Sequence, residues 1–262
     1  MKGILKKIVC VACVTALTVS VVACGNTADD KNAMSKGNNT KVEDNNKKYT
    51  KSDNNKNIDK SKKEHKYSDE LAKYFPNVEG TVLKYSGTAE YGHVLTLSNV
   101  DEKNDKLILD FKGEIEDMSD GEGPSKEELM FEKEYEIGSD YVKEKQKNKE
   151  RRHSQSIIRE QTVLKLPLKE GNKWEEKVTI DGKEYTAIVK IVQISKDKDG
   201  KALIKTETVV KGIEHYPENM YKESKTFKEG KGIIEFKNVI LFPKAYNGDK
   251  DAHMNFGYSL FE

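Results

Sequence analysis

The chain is poor in cysteine, and this shortage excludes several kinds of structure and chemistry. Its 262 residues include only three cysteines, Cys10, Cys13 and Cys24, all within the first 24 positions. The rest of the chain therefore forms no disulfide and offers no thiol to a zinc site or to a cysteine hydrolase. A domain without covalent cross-links depends on its own hydrophobic core, which requires a domain of reasonable size.

Long apolar runs are also scarce. The only one covers residues 8–22 and follows Lys2, Lys6 and Lys7. A membrane-spanning helix needs about 20 mostly apolar residues, so this run is too short to favour an uncleaved anchor. A basic start, a short apolar core and a small residue before a cleavage point are typical of an export signal. The sequence therefore predicts a signal peptide over residues 1–23.

The end of this segment carries a lipidation motif. Val22-Ala23-Cys24-Gly25 is similar to the lipobox of bacterial lipoproteins, although Val21 stands where Leu is commonest. The resemblance implies cleavage after Ala23, a diacylglycerol on the Cys24 thiol and palmitate-type acylation. It also implies a lipid anchor in the cell membrane, on the extracytoplasmic face. Ordinary secretion with a free Cys24 thiol is the alternative.

Residues 25–66 contain few side chains that could build a core. They are almost entirely Asn, Lys, Asp, Ser and Thr, and such a composition cannot offset the entropy of folding. We therefore predict a disordered tether over residues 24–66. Eleven lysines and seven acidic residues give it a net charge of +4, which leaves 32 basic and 38 acidic residues, net −6, from residue 67 onward. An acidic head disfavours nucleic-acid binding.

From Pro76 onward the pattern favours β-strands, preceded by a short helical turn within residues 68–75. Short runs of β-branched and aromatic residues alternate with Gly and Asp turns, and Asp181-Gly182 is a strong hairpin signal. Residues 156–158 also have strand character, whereas residues 143–152 fit helix or loop equally well. Strands are predicted near residues 82–85, 93–97, 106–111, 162–166, 174–180, 183–194, 201–210, 220–227 and 233–241.

A weak internal repeat divides the strand region into two parts. Residues 76–83 align without gaps on residues 167–174, with identical Pro, Glu and Gly. The repeat predicts two related β subdomains, residues 67–165 and 166–262, although chance similarity is the alternative. The predicted fold class is mainly β, with antiparallel meanders that form a sandwich or half-barrel after the disordered tether.

The second part of the chain also resembles a known kind of module. Residues 166–174 contain a Gly-Asn-x-Trp turn, and residues 227–234 contain a Gly-x-Gly hairpin. Together they look like a β module in membrane lipoproteins of Gram-positive, clostridia-like bacteria. The resemblance covers roughly residues 166–241 and rests on structural turns. It implies a location and a fold, and almost nothing about activity.

The sequence has few catalytic or metal-binding signatures. None of its five histidines lies in a His-x-x-x-His or His-Glu-x-x-His arrangement, and no nucleophile elbow occurs in a strand-to-helix context. Residues 195–200 fit the middle of a calcium loop, but Ser195 and Thr206 stand where its end ligands belong. We therefore assign no catalytic residue, no metal ligand and no cofactor.

Two classes of function remain after these exclusions. The leading one is a lipid-anchored extracytoplasmic binding or interaction protein without catalytic chemistry of its own. Its partner would be a cell-wall polymer, a lipid, a small molecule or a surface protein. The alternative is a cell-surface hydrolase whose site is built from scattered residues. The candidate ligand-binding side chains are aromatics near the meander ends, each of which also suits core packing: Tyr85, Tyr91, Trp174 and Tyr185.

Overall fold

A computed structural model describes residues 67–119, 123–148, 155–242 and 252–261. The chain divides into two units, Met1–Ile58 and Asp59–Glu262, and every described residue belongs to the second. The predicted signal peptide, Cys24 and the predicted tether lie outside the described residues.

The described residues form twelve strands and two one-turn helices, with 3-10 turns at Thr88–Glu90 and Pro217–Asn219. The helices are α1 (Asp69–Ala72) and α2 (Lys126–Leu129). The strands are β1 (Val82–Gly87), β2 (Gly92–Lys103), β3 (Lys106–Ile115), β4 (Met130–Ile137), β5 (Tyr141–Gln146), β6 (Glu160–Lys165), β7 (Lys173–Ile180), β8 (Lys183–Lys196), β9 (Ala202–Lys211), β10 (Met220–Lys228), β11 (Gly232–Leu241) and β12 (His253–Leu260).

All twelve strands belong to one antiparallel sheet that is nearly closed into a barrel. Its order is β6-β5-β4-β3-β2-β1-β12-β11-β10-β9-β8-β7, so the chain runs up and down through sequential neighbours. The first strand pairs with the last, with Tyr85 opposite Leu260. Among the described residues, every two strands that follow each other along the chain share a ladder, except β6 and β7. We call the boundary between β6 and β7 the seam. The prediction of a mainly β fold with antiparallel meanders is confirmed.

The sheet falls into two six-stranded halves. Strands β1–β6 come from the predicted first subdomain and β7–β12 from the second, and each set is contiguous in the sheet. The halves meet at the short β1–β12 ladder and at the seam. The division into related subdomains at residue 166 stays a prediction.

Both halves open with the same backbone turn. Gly80 and Gly171 have φ angles of +82° and +84°, a left-handed conformation that glycine adopts without a Cβ penalty. The Gly80 N–H donates to the Leu97 carbonyl at 2.8 Å, and the Gly171 N–H donates to the Ile191 carbonyl at 2.8 Å. The two aligned glycines therefore perform the same task.

The aligned glutamates also have matching roles. Glu79 Oε1 accepts the Val100 N–H at 2.9 Å, and Glu170 Oε1 accepts the Ile194 N–H at 2.8 Å. Each carboxylate satisfies a backbone donor just after an irregularity in the ladder with the next strand. Two of the three identities in the repeat are thus explained by backbone hydrogen bonding.

Helix α1 closes one end of the barrel, which we call the α1 end. Ser68 caps the helix by accepting the Leu71 N–H at 3.2 Å, as the predicted helical turn required. Leu71 and Phe75 are at most 3% exposed and enter the larger core cluster. The helix is held by Gly230, whose N–H donates to the Lys73 carbonyl at 2.8 Å.

Residues 155–158 fill the opposite end of the barrel. Ile157 and Ile158 are buried and pack in a smaller core cluster with Tyr221. The predicted strand at residues 156–158 is wrong, because the side chain of Gln146 takes the place of a partner strand. Its Nε2 donates to the carbonyls of residues 156 and 158 at 2.9 and 3.1 Å. The ambiguous segment at residues 143–152 begins as β5, and its last four residues lie outside the described residues.

Candidate functional site

Four charged side chains meet inside the barrel, and we call them the interior ion cluster: Lys133, Glu144, Glu223 and Lys225. Each is at most 7% exposed. Lys133 and Glu144 project from the adjacent strands β4 and β5, whereas Glu223 and Lys225 project from β10, in the other half of the sheet. The cluster therefore ties the two halves together across the interior.

Glu144 lies between two lysines. Its Oε2 accepts the Tyr135 hydroxyl at 2.9 Å and lies 3.5 Å from Lys133 Nζ. Its Oε1 lies 3.7 Å from Lys225 Nζ. Burial alone would raise the pKa of this carboxyl, but the charges of Lys133 and Lys225 hold it below its usual value. Glu144 is therefore ionised in the folded chain.

Glu223 is surrounded by hydrogen-bond donors. Its Oε1 accepts from Lys225 Nζ and, at 2.6 Å, from Gln161 Nε2. Its Oε2 accepts the Tyr221 hydroxyl at 2.6 Å. Burial would lower the pKa of Lys225, but the nearby carboxylates Glu144 and Glu223 raise it instead. Buried charges persist when they are paired and hydrogen-bonded in this way.

An aromatic group surrounds His93 near the ion cluster. The Tyr85 ring stacks on the imidazole with centroids 4.4 Å apart and planes 7° apart, and Tyr258 meets it edge-on at 4.8 Å. Burial, with a smaller effect from the charge of Lys133, lowers the pKa of His93 to about 3. The imidazole therefore stays neutral at physiological pH. The cavity beside it has a volume of about 10 Å³, roughly the space of one water molecule.

Side chains take the place of a ladder along part of the seam. The Thr162 N–H of β6 donates to Glu176 Oε1 of β7 at 2.6 Å, and its hydroxyl donates to Glu176 Oε2 at 3.0 Å. The Trp174 indole N–H donates to the Thr162 carbonyl at 3.2 Å. The backbone groups of Thr162 that face β7 are thus satisfied by the side chains of two β7 residues.

Among the described residues, no strand covers the rest of the β7 edge. β7 and β8 are joined by Asp181 and Gly182, both with positive φ, in a two-residue hairpin that makes Ile180 and Lys183 a hydrogen-bonded pair. Alternate residues of β7 therefore bond to β8, and those between them direct their N–H and C=O toward the seam. At Lys177 and Thr179 no described residue bonds to these groups.

An open depression lies over this free edge, and we call it the seam cleft. Its volume is about 690 Å³. Val178 of β7 and Ile157, which belongs to the segment that fills the end of the barrel opposite α1, contribute apolar surface. Its six charged side chains balance, three basic and three acidic: Lys143, Arg159, Lys177, Glu160, Glu176 and Asp181.

A second depression of about 720 Å³ lies on the outer face over β9–β12 and β1. It exists because small residues remove side-chain volume where β1 and β12 cross; a Cβ on Gly87 would lie 2.3 Å from the Gly257 carbonyl oxygen. Charged side chains such as Lys222 and Glu207 border it. All the strands beneath it have ladder partners on both sides, so it presents side chains and no free backbone edge.

The structure does not bring the four sequence-predicted aromatics into one site. Tyr85 and Tyr91 lie together around His93, and the buried Tyr85 hydroxyl donates to the carbonyl of residue 233 at 2.8 Å. Trp174 lies in the seam and is 9% exposed. Tyr185 packs against the smaller core cluster. Their role as ligand-binding residues stays a prediction.

Neither the ion cluster nor the cleft was predicted from the sequence. Strand alternation gives one signal for the cluster, since Glu144 shares a face with Val142, and Lys225 shares a face with Tyr221 and Phe227. The sequence contains no local signal for the cleft. An edge strand and a central strand that both line a barrel show the same alternation of apolar and polar residues. Among the described residues, no three His, Cys, Asp or Glu side chains lie close enough to hold a metal ion, and no helix is long and apolar enough to span a membrane.

No protein-family profile matches the chain, and no curated protein matches its sequence. Among solved structures, a "putative lipoprotein" from Parabacteroides distasonis is 8% identical, with a TM-score of 0.36 over 71% of this chain and 96% of that one. A "putative exported protein with YmcC-like fold" from Bacteroides fragilis is 12% identical, with a TM-score of 0.33 over 71% and 96%. Scores this low carry no argument about function, and the resemblance to clostridia-like lipoproteins stays a prediction.

Proposed function

We propose that this chain is a lipid-anchored extracytoplasmic binding protein whose partner binds on the outside of the barrel, in the seam cleft. The lipobox-like residues 22–25 support the anchor, and the Asn- and Lys-rich residues 25–66 support a flexible spacer. The head between residues 67 and 261 supplies the binding surface.

The seam cleft is the observation that carries this proposal. Its volume of about 690 Å³ falls within the range of ligand pockets, whereas the cavity beside His93 holds about 10 Å³. Both ends of the barrel are filled, by α1 and by residues 155–158. A ligand therefore meets the protein from outside, where the free edge of β7 offers backbone groups to which no described residue bonds.

The charged groups inside the barrel favour binding over catalysis. Perturbed pKa values mark catalytic residues when they sit in an accessible cleft. Here the pKa shifts of Glu144, Lys225 and His93 belong to side chains at most 3% exposed. No substrate reaches them without opening the barrel, so they serve the structure.

The anchor is tested by Cys24→Ala in a bacterial host that processes lipoproteins. We expect the wild-type chain to incorporate an alkyne-labelled palmitate and to sediment with membranes. The variant should lose the label and either remain as an unprocessed precursor or appear in the medium. A Cys24→Ala chain that is processed and partitions with membranes as the wild type does would contradict the anchor.

Binding is tested with the full-length chain in detergent and four defined probes: purified peptidoglycan, anionic phospholipid vesicles, a peptide digest of casein and a panel of fluorogenic hydrolase substrates. We expect saturable binding of one class without turnover. Lys177→Glu in the cleft should weaken it, and Lys173→Glu, an exposed lysine of the same strand outside the cleft, should not. Turnover abolished by one side-chain change would instead favour the hydrolase.

A further inference from the structure

We infer that the seam cleft binds an extended polypeptide segment of another protein, which adds to the free edge of β7 as an extra strand. This inference rests on the proposed binding function and names the chemical class of the ligand. It follows from the backbone of β7, from the charges of the cleft and from the side chains beneath it.

The backbone groups at the free edge of β7 are complementary to those of an extended chain. Lys177 and Thr179 each present an N–H and a C=O toward the cleft, alternating with residues that bond to β8. From Lys177 to Ile180 the free edge is about 13 Å long, which matches four residues of an extended chain. Donors and acceptors alternating at strand spacing match a polypeptide backbone, and exposed strand edges are the usual site of such additions.

The charged side chains of the cleft favour a ligand without net charge. Three basic and three acidic side chains line the cleft, and two of them already pair, with Lys143 Nζ 2.9 Å from Glu160 Oε1. A polyanionic wall polymer or an anionic membrane would need a basic surface. A cleft without net charge suits a backbone that is neutral along its length.

The side chains along the edge of β7 alternate between the core and the solvent. Val178 faces inward and packs in the same core cluster as Ile157, and both are at most 7% exposed. Lys177 and Thr179 face outward to solvent. A strand added to β7 would place every second side chain beside Val178 and Ile157 and the others in solvent. The expected ligand therefore alternates apolar and polar residues.

Part of the seam is already bridged by side chains of β7. On the α1 side of the cleft, Glu176 and Trp174 of β7 bind the N–H and C=O of Thr162. No residue of β6 pairs with Lys177 or Thr179 among the described ladders. The ligand would continue the position that β6 leaves empty.

The test selects random linear octapeptides displayed on phage against the full-length chain in detergent. We expect selected peptides to alternate apolar and polar residues and to slow amide hydrogen exchange at Lys177 and Thr179. A scan of singly N-methylated versions should reduce affinity about tenfold at every second residue, because each methyl removes one backbone donor.

Two variants complete the test. Thr179→Pro removes the N–H that faces the cleft but no bond to β8, and proline is tolerated on a strand edge; we expect about a tenfold loss of affinity. Thr179→Val keeps that N–H and should bind within about twofold of the wild type. The N-methyl scan decides the matter if Thr179→Pro does not fold.

The inference is overturned if no octapeptide is enriched, or if N-methylation shows no period of two. Peptides that bind while Lys177 and Thr179 exchange at their free rates would also overturn it. That last result, or binding of vesicles or peptidoglycan in place of peptides, would leave a binding function standing and remove only the strand-addition mode.

Discussion

The charge balance of the interior ion cluster can be tested by Lys225→Met. Lys225 is 3% exposed and its Nζ contacts Glu223 and lies 3.7 Å from Glu144. Methionine keeps an unbranched apolar stem of similar length, so the change removes the ammonium with little loss of packing. Lys133 is then the one cation left beside Glu144 in the ion cluster. Glu223 keeps its hydrogen bonds from the neutral donors Gln161 and Tyr221.

The expected cost follows from the burial of the two carboxylates. Removing one partner of a buried ion pair destabilises a protein by about 3–5 kcal/mol, because an uncompensated charge stays in a medium of low dielectric. The free energy of unfolding of a folded domain is about 5–15 kcal/mol. The variant should therefore lose a substantial part of its stability while it keeps its strands.

The stability deficit of the variant should depend on pH, whereas a deficit caused by poor packing would not. In the wild type the lysines lower the pKa of Glu144, so its ionisation stabilises the fold above the unfolded pKa of about 4.3 and this contribution is lost at lower pH. Without Lys225, only the charge of Lys133 opposes the effect of burial on Glu144, so the pKa of this carboxyl rises. Its ionisation then contributes less stability above about pH 4.3, so the deficit should shrink as the pH falls from 7 toward 4.

The assay is urea unfolding of the full-length chain in detergent, followed by the fluorescence of Trp174, its single tryptophan. Lys222→Met is the matched control, since Lys222 lies on the same strand with its side chain 57% exposed, and it should change stability by less than about 0.5 kcal/mol. A Lys225→Met chain as stable as this control, or with equal deficits at pH 7 and pH 4.5, would refute the reasoning.

Three further changes test other parts of the barrel by the same unfolding assay, with circular dichroism for the tryptophan variants. Trp174→Ala should lower the free energy of unfolding by about 3–5 kcal/mol. Trp174→Phe loses mainly the hydrogen bond to Thr162 and should lower it by about 1 kcal/mol. A Trp174→Ala chain as stable as the wild type would contradict the packing role of this side chain. Hydrogen bonds from Lys106, Lys145 and Tyr141 outweigh burial and lower the pKa of Glu136 to about 2, so its contribution is present above about pH 4.3 and lost toward pH 2. Glu136→Gln should therefore cost about 1–2 kcal/mol at pH 7, given its partly exposed partners, and a cost that persists at pH 2 would contradict this. Gly87→Ala should cost about 1–3 kcal/mol by forcing β1 from β12, and an unchanged transition would show that the ladder yields.

Local features of the fold follow from the sequence because their causes are local. Asp181-Gly182 reads as a hairpin because both positions need positive φ, and the structure has them there. The aligned Gly80 and Gly171 mark turns for the same reason. Alternation within each run predicted β7, β8 and β9 within two residues at each boundary.

Long-range features were not predictable in this way. The pairing of Tyr85 with Leu260 joins residues at opposite ends of the head, and no turn chemistry announces it. Glu144 and Lys225 belong to a chain in which 35% of residues are charged. Their burial depends on meeting across the barrel, which a single strand does not reveal. The open part of the seam follows from strand order and from the shortness of β6, which only the assembled sheet shows.

The closing ladder between β1 and β12 has a consequence for how the chain folds. The ladders from β1 to β6 and from β7 to β12 join consecutive strands, so they form from contacts near in sequence, which favours rapid folding. The edge of β1, in contrast, has no partner strand until β12 has been made. During synthesis Val82–Gly87 therefore presents an open template to other nascent chains. Lys84, exposed in the middle of that strand, places a charge where such mispairing would begin.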